Sequence, residues 1–264
     1  MYEVYYLNKN EQFEKAKEND PIESQLILKN HCVHADKKKK VVKKNIYEGG
    51  FLIWECTWDM LKFLHKEKID FKNKNILELG CAHGLVGIKA LLDKGEVVFQ
   101  EFNKNVINHS LIPNLNKNLN LDIQKMNEES SCMQIKNEQV SFTIINTPWY
   151  NLNEKLKNEN IKPFDFILGN EILYRWEQYL YILQILRTNL KKGGKAYIGT
   201  KSYYFGFEEG TGTNFFIDYV NNNSKLFNLT AKVIQSNRDK SVYSKDIIEV
   251  AFAKEEEEEE KKVA

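Results

Sequence analysis

The chain has 264 residues, 42% hydrophobic and 12% aromatic. That is enough apolar material for a sizeable core and excludes wholesale disorder. Its 38 basic side chains nearly balance its 37 acidic ones, leaving a net charge of +1, which excludes a generic nucleic-acid coat or a polybasic membrane binder.

The apolar runs fall short of the roughly 18–20 residues that span a bilayer, and the N-terminus carries no apolar signal core. Cys32, Cys56, Cys81 and Cys132 form no CxxC pair, so neither a disulfide framework nor a metal site is expected. The chain reads as soluble and intracellular, with no membrane partner.

Three units follow from composition. Residues 1–45 form a polar, basic arm ending in the run Lys37–Lys44. That run reads as a solvated tail, a nuclear address or a patch that touches ribosomal RNA. His31, Cys32 and His34 crowd too closely in the arm for metal geometry. Residues 46–253 read as one continuous domain. Residues 254–264 form an acidic, solvated tail.

Within the domain, helical and strand patterns alternate. Glu55–Lys66 places Trp58, Leu61, Phe63 and Leu64 close to one helical face. A strand at Asn75–Leu79 stops at Gly80 and is followed by a helix from Gly84 to Lys94. A strand at Glu96–Phe102 precedes a helix over Asn105–Asn118 that is broken at Pro113. Residues 119–139 show no period. Strands follow at Val140–Asn146 and Phe164–Asn170. Trp176–Asn189 is an amphipathic helix with a C-cap signal at Gly193–Gly194. A strand at Lys195–Ser202, a helix starting at Phe215 and two closely spaced strands complete the domain. This order predicts an α/β three-layer, Rossmann-like fold, with a seven-stranded, mostly parallel sheet closed by a C-terminal antiparallel hairpin.

Ligands on such sheets bind beyond the carboxyl ends of the strands. Gly80, Gly84 and Gly87 straddle the first strand-to-helix turn, where glycine lets a ligand approach the backbone. An ordinary tight turn is the alternative, and the absence of Gly-Lys-Ser/Thr excludes a P-loop. Glu101 lies 21 residues beyond Gly80, the offset at which an acid binds ribose hydroxyls in dinucleotide folds. Trp149, after the third strand, suits base stacking or a core position. Glu171 and Tyr174 follow the fourth strand and face the same cleft, unless the glutamate caps a helix.

Ile76–Ile88 (ILELGCAHGLVGI) resembles the first motif of the seven-strand S-adenosylmethionine-dependent methyltransferases. Ile46–Leu61 (IYEGGFLIWECTWDML), Phe99–Asn103, Leu111–Asn114, Asn170–Tyr174 and Lys201–Gly206 (KSYYFG) are similar to one subfamily, the histidine protein methyltransferases. The resemblance implies S-adenosyl-L-methionine as cofactor. It implies that Ile53, Trp54, Glu55, Cys56 and Thr57 border the methionine part, with Gly80 beneath it and Gly84 in the same loop. Gln100, Glu101 and Phe102, with Asn103, would hold ribose and adenine. Pro148 and Trp149 would flank the adenine, Asn170 would touch the cofactor, and Glu171 and Tyr174 would be catalytic. The implied activity is methyl transfer to a histidine ring nitrogen of a protein, expected to be a large-subunit ribosomal protein. A monomer in cytoplasm and nucleus, acting on no nucleic acid directly, completes the expectation.

Two positions depart from the family pattern. Ala82 replaces a glycine, so a backbone conformation open to L-residues is expected there. Pro148 replaces an acid, so one polar contact to adenine is expected to be lost. The rival readings are a protein-lysine methyltransferase on the same fold and a non-catalytic module that kept the fold. A nucleic-acid methyltransferase is disfavoured, because Asn170–Tyr174 is not the Asn/Asp-Pro-Pro-Tyr that positions an exocyclic amine.

Overall fold

In strand β3 (Asn75–Leu79), Ile76, Leu77 and Leu79 are all buried, so both faces of the strand are covered. Strands of that kind occupy the middle of parallel sheets with helices on either side. The computed structural model shows this arrangement and describes residues 5–7, 13–15, 49–204, 211–238 and 243–253. The basic run Lys37–Lys44, the His31–Cys32–His34 cluster, residues 46–48, Phe205, Gly206 and the acidic tail lie outside the described residues.

The remaining strands are β1 (Tyr5–Leu7), β2 (Phe13–Lys15), β4 (Glu96–Glu101), β5 (Cys132–Lys136), β6 (Ser141–Asn146), β7 (Phe164–Asn170), β8 (Leu190–Lys201), β9 (Leu229–Asn237) and β10 (Lys245–Phe252). The helices are α1 (Glu55–Lys66), α2 (Leu85–Leu92), α3 (Lys104–Val106), α4 (Ile112–Leu119), α5 (Trp149–Asn158), α6 (Tyr179–Asn189), α7 (Thr213–Asn222) and α8 (Ser224–Phe227). Strands β1 and β2 pair as a small antiparallel hairpin inside the N-terminal arm.

The main sheet has the order β5-β6-β4-β3-β7-β8-β10-β9. Strands β6, β4, β3, β7 and β8 are parallel, while β5 and the β9–β10 hairpin run antiparallel at the two edges. The expected seven strands are therefore eight. The additional one, β5, lies in the segment that showed no period. It is an edge strand with no fully buried residue, so its apolar signal is weak.

Side chains alternate between two cores. Ile76, Val97, Phe99, Leu168 and Tyr197 pack with Met60 and Phe63 of α1, Leu85 and Ile88 of α2, and Leu115 of α4. Leu77, Val98, Ile167, Ala196 and Ile198 pack with Leu152 of α5, Ile182 of α6 and Phe216 of α7. Helices thus cover both faces, giving the three layers.

Three boundaries differ from the sequence reading. The break in the third helical stretch is a π turn at Ile107–Leu111, and Pro113 falls in the first turn of α4, where proline is tolerated. The helix read as Trp176–Asn189 opens with a 3-10 turn at Trp176–Gln178 before α6. Its end does not use Gly193–Gly194, since Leu190 is already extended and pairs with Phe164. Helix α5, where the sequence read only a strand-end loop, is capped by Pro148. Among the described residues, no helix is long and apolar enough to cross a membrane.

Candidate active site

The chain runs from β3 outward to β4 and β6, then returns to the other side of β3 as β7. Strand order reverses there, and neighbouring loops diverge to leave a crevice at the carboxyl ends of the strands. A cavity of about 580 Å3 opens at that point, within the usual range for small-ligand sites.

One wall is the turn after β3. Gly80 has φ +64°, and a Cβ there would stand 3.2 Å from Ile172 Cγ2 and 3.5 Å from Trp149 Cζ2. Gln100, buried at the end of β4, ties three segments together. Its Oε1 accepts the Gly80 N–H and the Trp149 Nε1–H, each at 2.8 Å. Its Nε2 donates to the Thr147 carbonyl at 2.7 Å. Glu101 is buried beside it, with Oε1 accepting the Asn103 N–H at 2.9 Å and Oε2 the Ala82 N–H at 3.2 Å. Asn146 Nδ2 donates to the carbonyls of Glu101 and Phe102, so β6 fixes the end of β4.

Ala82 corrects an expectation. It has φ +46°, in the left-handed region that glycine would occupy without strain. The loop keeps the glycine-type conformation although the residue is alanine.

Beneath this loop lies Glu78, a buried β3 side chain whose Oε2 accepts the Gly87 N–H at 2.8 Å. Burial pushes its carboxyl up to about 8, against the opposing pull of amide hydrogen bonds from Gly87 and Val86. Near neutral pH it is held mostly as the neutral acid.

The other wall follows β7. Glu171 also has a positive φ, +51°, and its N–H donates to the Gly199 carbonyl of β8 at 2.7 Å. Its side chain is buried; Oε1 accepts the Cys56 N–H at 3.3 Å. Oε2 stands 3.4 Å from Lys201 Nζ, an ion-pair contact without hydrogen-bond geometry. Burial raises the Glu171 carboxyl above its ordinary value, and the Lys201 charge opposes that rise. Burial alone would lower the Lys201 ammonium, but Glu171 and Glu55 outweigh it and hold the ammonium above its usual value. Lys201 Nζ also lies 5.7 Å from the centroid of the Trp54 ring and 5.2 Å from that of Tyr243. The Cys56 thiol is pushed well up by burial and then by Glu171, which removes it as a nucleophile.

Of the sequence-selected residues, Ile53, Trp54, Thr57, Gly80, Gln100, Glu101, Phe102, Asn103, Pro148, Trp149, Asn170, Glu171 and Tyr174 all line this cleft. Three do not. Gly84 caps α2 with φ +70° and faces the core, where a Cβ would come within 2.3 Å of Leu111 Cδ1. Cys56 lies behind Glu171. Glu55 turns away to accept the Tyr243 hydroxyl at 3.3 Å.

Sequence reasoning missed Arg175, Gln178 and Tyr181, which complete the rim. They continue directly from the Asn170–Tyr174 motif, so extending that motif along the chain would have found them. It also assigned Lys201 no role, although the residue opens the KSYYFG block.

A cofactor with a cationic amine, a ribose and a base fits this chain. The Asn170 Oδ1 acceptor is buried in the cleft with no hydrogen bond from the protein. The Gly80 turn is bare of side chain, and the Glu101 carboxylate stands beside it.

A family model described as "Lysine methyltransferase" matches residues 33–218. The Dictyostelium discoideum protein named "Histidine protein methyltransferase 1 homolog" is 32% identical over 206 residues, which cover 78% of this chain and 58% of that protein. The Bos taurus protein of the same name is 31% identical over 229 residues, covering 83% of this chain and 59% of that protein. The chain therefore spans under two thirds of the length of these relatives. A solved "SAM Dependent Methyltransferase from Agrobacterium tumefaciens" shares the fold, with a TM-score of 0.50 at 12% identity over 78% of this chain and 64% of that one.

Proposed function

We infer the activity from family and site together: the chain belongs to the lysine methyltransferase family, is similar within it to the histidine protein methyltransferases, and carries a cleft suited to methyl transfer. The reading is an S-adenosyl-L-methionine-dependent protein methyltransferase that modifies a histidine ring nitrogen. The proposed target is a large-subunit ribosomal protein, met in cytoplasm or nucleus by a monomer whose catalytic unit is residues 46–253.

The cofactor supplies an electrophilic methyl group on a sulfonium. Asn170 Oδ1 and the Gly80 turn would hold its amino-acid end. Glu101 would take the ribose hydroxyls, and Phe102, Asn103, Pro148 and Trp149 would enclose the base. Gln100 acts through these residues, since its three hydrogen bonds set the spacing between the Gly80 turn and Trp149.

A histidine acceptor needs little activation, because a free imidazole with a pKa near ~6.5 is mostly neutral at pH 7. The protein must align the ring and hold the N–H of the nitrogen that does not react. The Glu171 carboxylate would accept that N–H, and Tyr174 would flank the ring. As positive charge develops on the imidazole, the same carboxylate stabilises it. The observation that carries this reading is the Glu171 carboxylate, buried at the cleft floor on a left-handed residue and held from one side by Cys56 N–H.

The rival acceptor is lysine, favoured by the description of the family model. Product analysis decides between them. The full chain is incubated with methyl-labelled S-adenosylmethionine and acid-extracted large-subunit ribosomal proteins, and the hydrolysed product is resolved into amino acids. Labelled methylhistidine is expected; labelled methyllysine, or no label, overturns the reading.

A further inference from the structure

We propose that Lys201 is a specificity-determining residue: its ammonium fills the cation-binding place beside Glu171 from behind and reserves the acceptor pocket for a neutral nucleophile. The inference deepens the methyltransferase reading and rests on it.

A lysine substrate reaches such a site as an ammonium and must be bound before it loses its proton. Carboxylates and aromatic faces are the groups that bind it. At Glu171 the carboxylate and the neighbouring Trp54 face already have a cation against them. Lys201 Nζ lies 3.4 Å from Glu171 Oε2, with the Trp54 and Tyr243 ring centroids at 5.7 and 5.2 Å. The Lys201 side chain is only 14% exposed, so solvent screens it weakly. A second ammonium at Glu171 would stand next to the first. A neutral imidazole needs only an acceptor for its N–H, and a carboxylate neutralised from behind still provides one.

Strand β8 fixes the arrangement. It supplies both Lys201 and the Gly199 carbonyl that takes the Glu171 N–H, so carboxylate and ammonium are set by one rigid element. Other titratable groups face the pair. Glu55 and Cys56 approach from α1, and Tyr204 and Tyr243 from the segments flanking the β8–β10 edge.

The test compares wild type, Lys201→Met and Lys201→Arg as full chains, using acid-extracted large-subunit ribosomal proteins as the acceptor probe. Lys201→Gln replaces the methionine variant if that one does not fold. Wild type is expected to yield methylhistidine. Lys201→Met is expected to raise the methyllysine-to-methylhistidine ratio about tenfold or more. The acid limb of its kcat/KM profile moves to higher pH, and Lys201→Arg restores both properties. A readout independent of activity is a carboxyl-carbon NMR titration, with the Glu171 signal identified by its loss in Glu171→Gln. The carboxylate should titrate at higher pH once Lys201 is uncharged. An unchanged product ratio and unchanged Glu171 titration in a folded Lys201→Met chain that still makes methylhistidine overturn this inference alone. Methyllysine or no product from wild type overturns the activity reading, and the titration then decides the pairing by itself.

Discussion

On the Gly80 side of the cleft, Gln100 and Glu101 are held by hydrogen bonds to backbone groups and to one indole, within a frame closed by β3, β4 and β6. On the Glu171 side, the acidic group sits on a left-handed non-glycine residue, is buried, and is matched by a partly buried lysine. The first arrangement is one that many ligand-binding α/β proteins can share, because amides and a carboxylate recognise a nucleoside whatever chemistry follows. The second stores backbone strain and desolvated charge where the proposed acceptor would sit, and such features concentrate at reacting centres. Binding and reaction are thereby separable by substitution.

The sharpest test of that separation is Glu171→Gln. It keeps the shape and one acceptor oxygen but removes the charge that, on the proposed reading, would offset the developing imidazolium. We expect kcat to fall by about 10²–10³, with the S-adenosylhomocysteine affinity from calorimetry unchanged. Equal losses in kcat and affinity would merge the two halves. The converse substitution, Glu101→Ala, should weaken S-adenosylhomocysteine by about 10- to 100-fold, as expected for loss of charged hydrogen bonds. Because Glu101 also accepts the Ala82 and Asn103 amides, Glu101→Gln serves as the milder control. Normal affinity in both variants would reject the ribose assignment.

The two halves also differed in how readable they were. Gly80 and Glu101 could be read from spacing, since a strand, a glycine turn and an acid about 20 residues on are a local pattern with a known geometry. Glu171 and Tyr174 could be placed at a strand end, but their roles came from family resemblance. Lys201 was invisible as a site residue. It lies 30 residues beyond Glu171, and only the pairing of β7 with β8 brings them together. Strand β5 was missed because an edge strand with half-exposed residues has little apolar period. Helix α5 was missed because its start, Pro148-Trp149, reads equally well as a loop. Glu55 and Cys56 were placed in the site by motif membership, yet a motif fixes backbone neighbours and not the direction in which each side chain points.

A smaller effect should come from Glu78, which belongs to the binding half by position but resembles the reacting half in its buried carboxyl. Its value rises from 4.5 in the free side chain to about 8 in the fold. Between those two values the folded chain holds a proton that the unfolded chain releases. Stability is therefore full below about pH 4.5 and is lost as pH rises toward 8, by at most about 1.4 kcal/mol per pH unit. Glu78→Gln removes the titration while keeping an acceptor for the Gly87 amide. The Tm of wild type should fall more steeply than that of the variant between pH 5 and 8, leaving the variant the more stable at pH 8. Parallel Tm curves would mean that Glu78 titrates alike in the folded and unfolded chain.

Ala82 gives the finest division between the halves, because the binding wall contains a strained residue too. At φ +46° an alanine costs about 1–2 kcal/mol relative to the right-handed region, and glycine would occupy the same place without that cost. Glycine, however, gains freedom in the unfolded chain, which subtracts about 0.4–1 kcal/mol. Ala82→Gly should therefore be neutral to stabilising, by up to about 1.6 kcal/mol, whereas an ordinary alanine-to-glycine change destabilises. A urea titration of both chains separates the two cases. If the variant is no less stable and binds S-adenosylhomocysteine as well as wild type, the strain at Ala82 does not serve binding, and Glu171 keeps its special status. If the variant is more stable but binds more weakly, strain holds the Ala82 amide toward Glu101, and the two halves use backbone strain alike. A loss of stability of ordinary alanine-to-glycine size would show that Ala82 is not left-handed in solution, returning the loop to the conformation its sequence first implied.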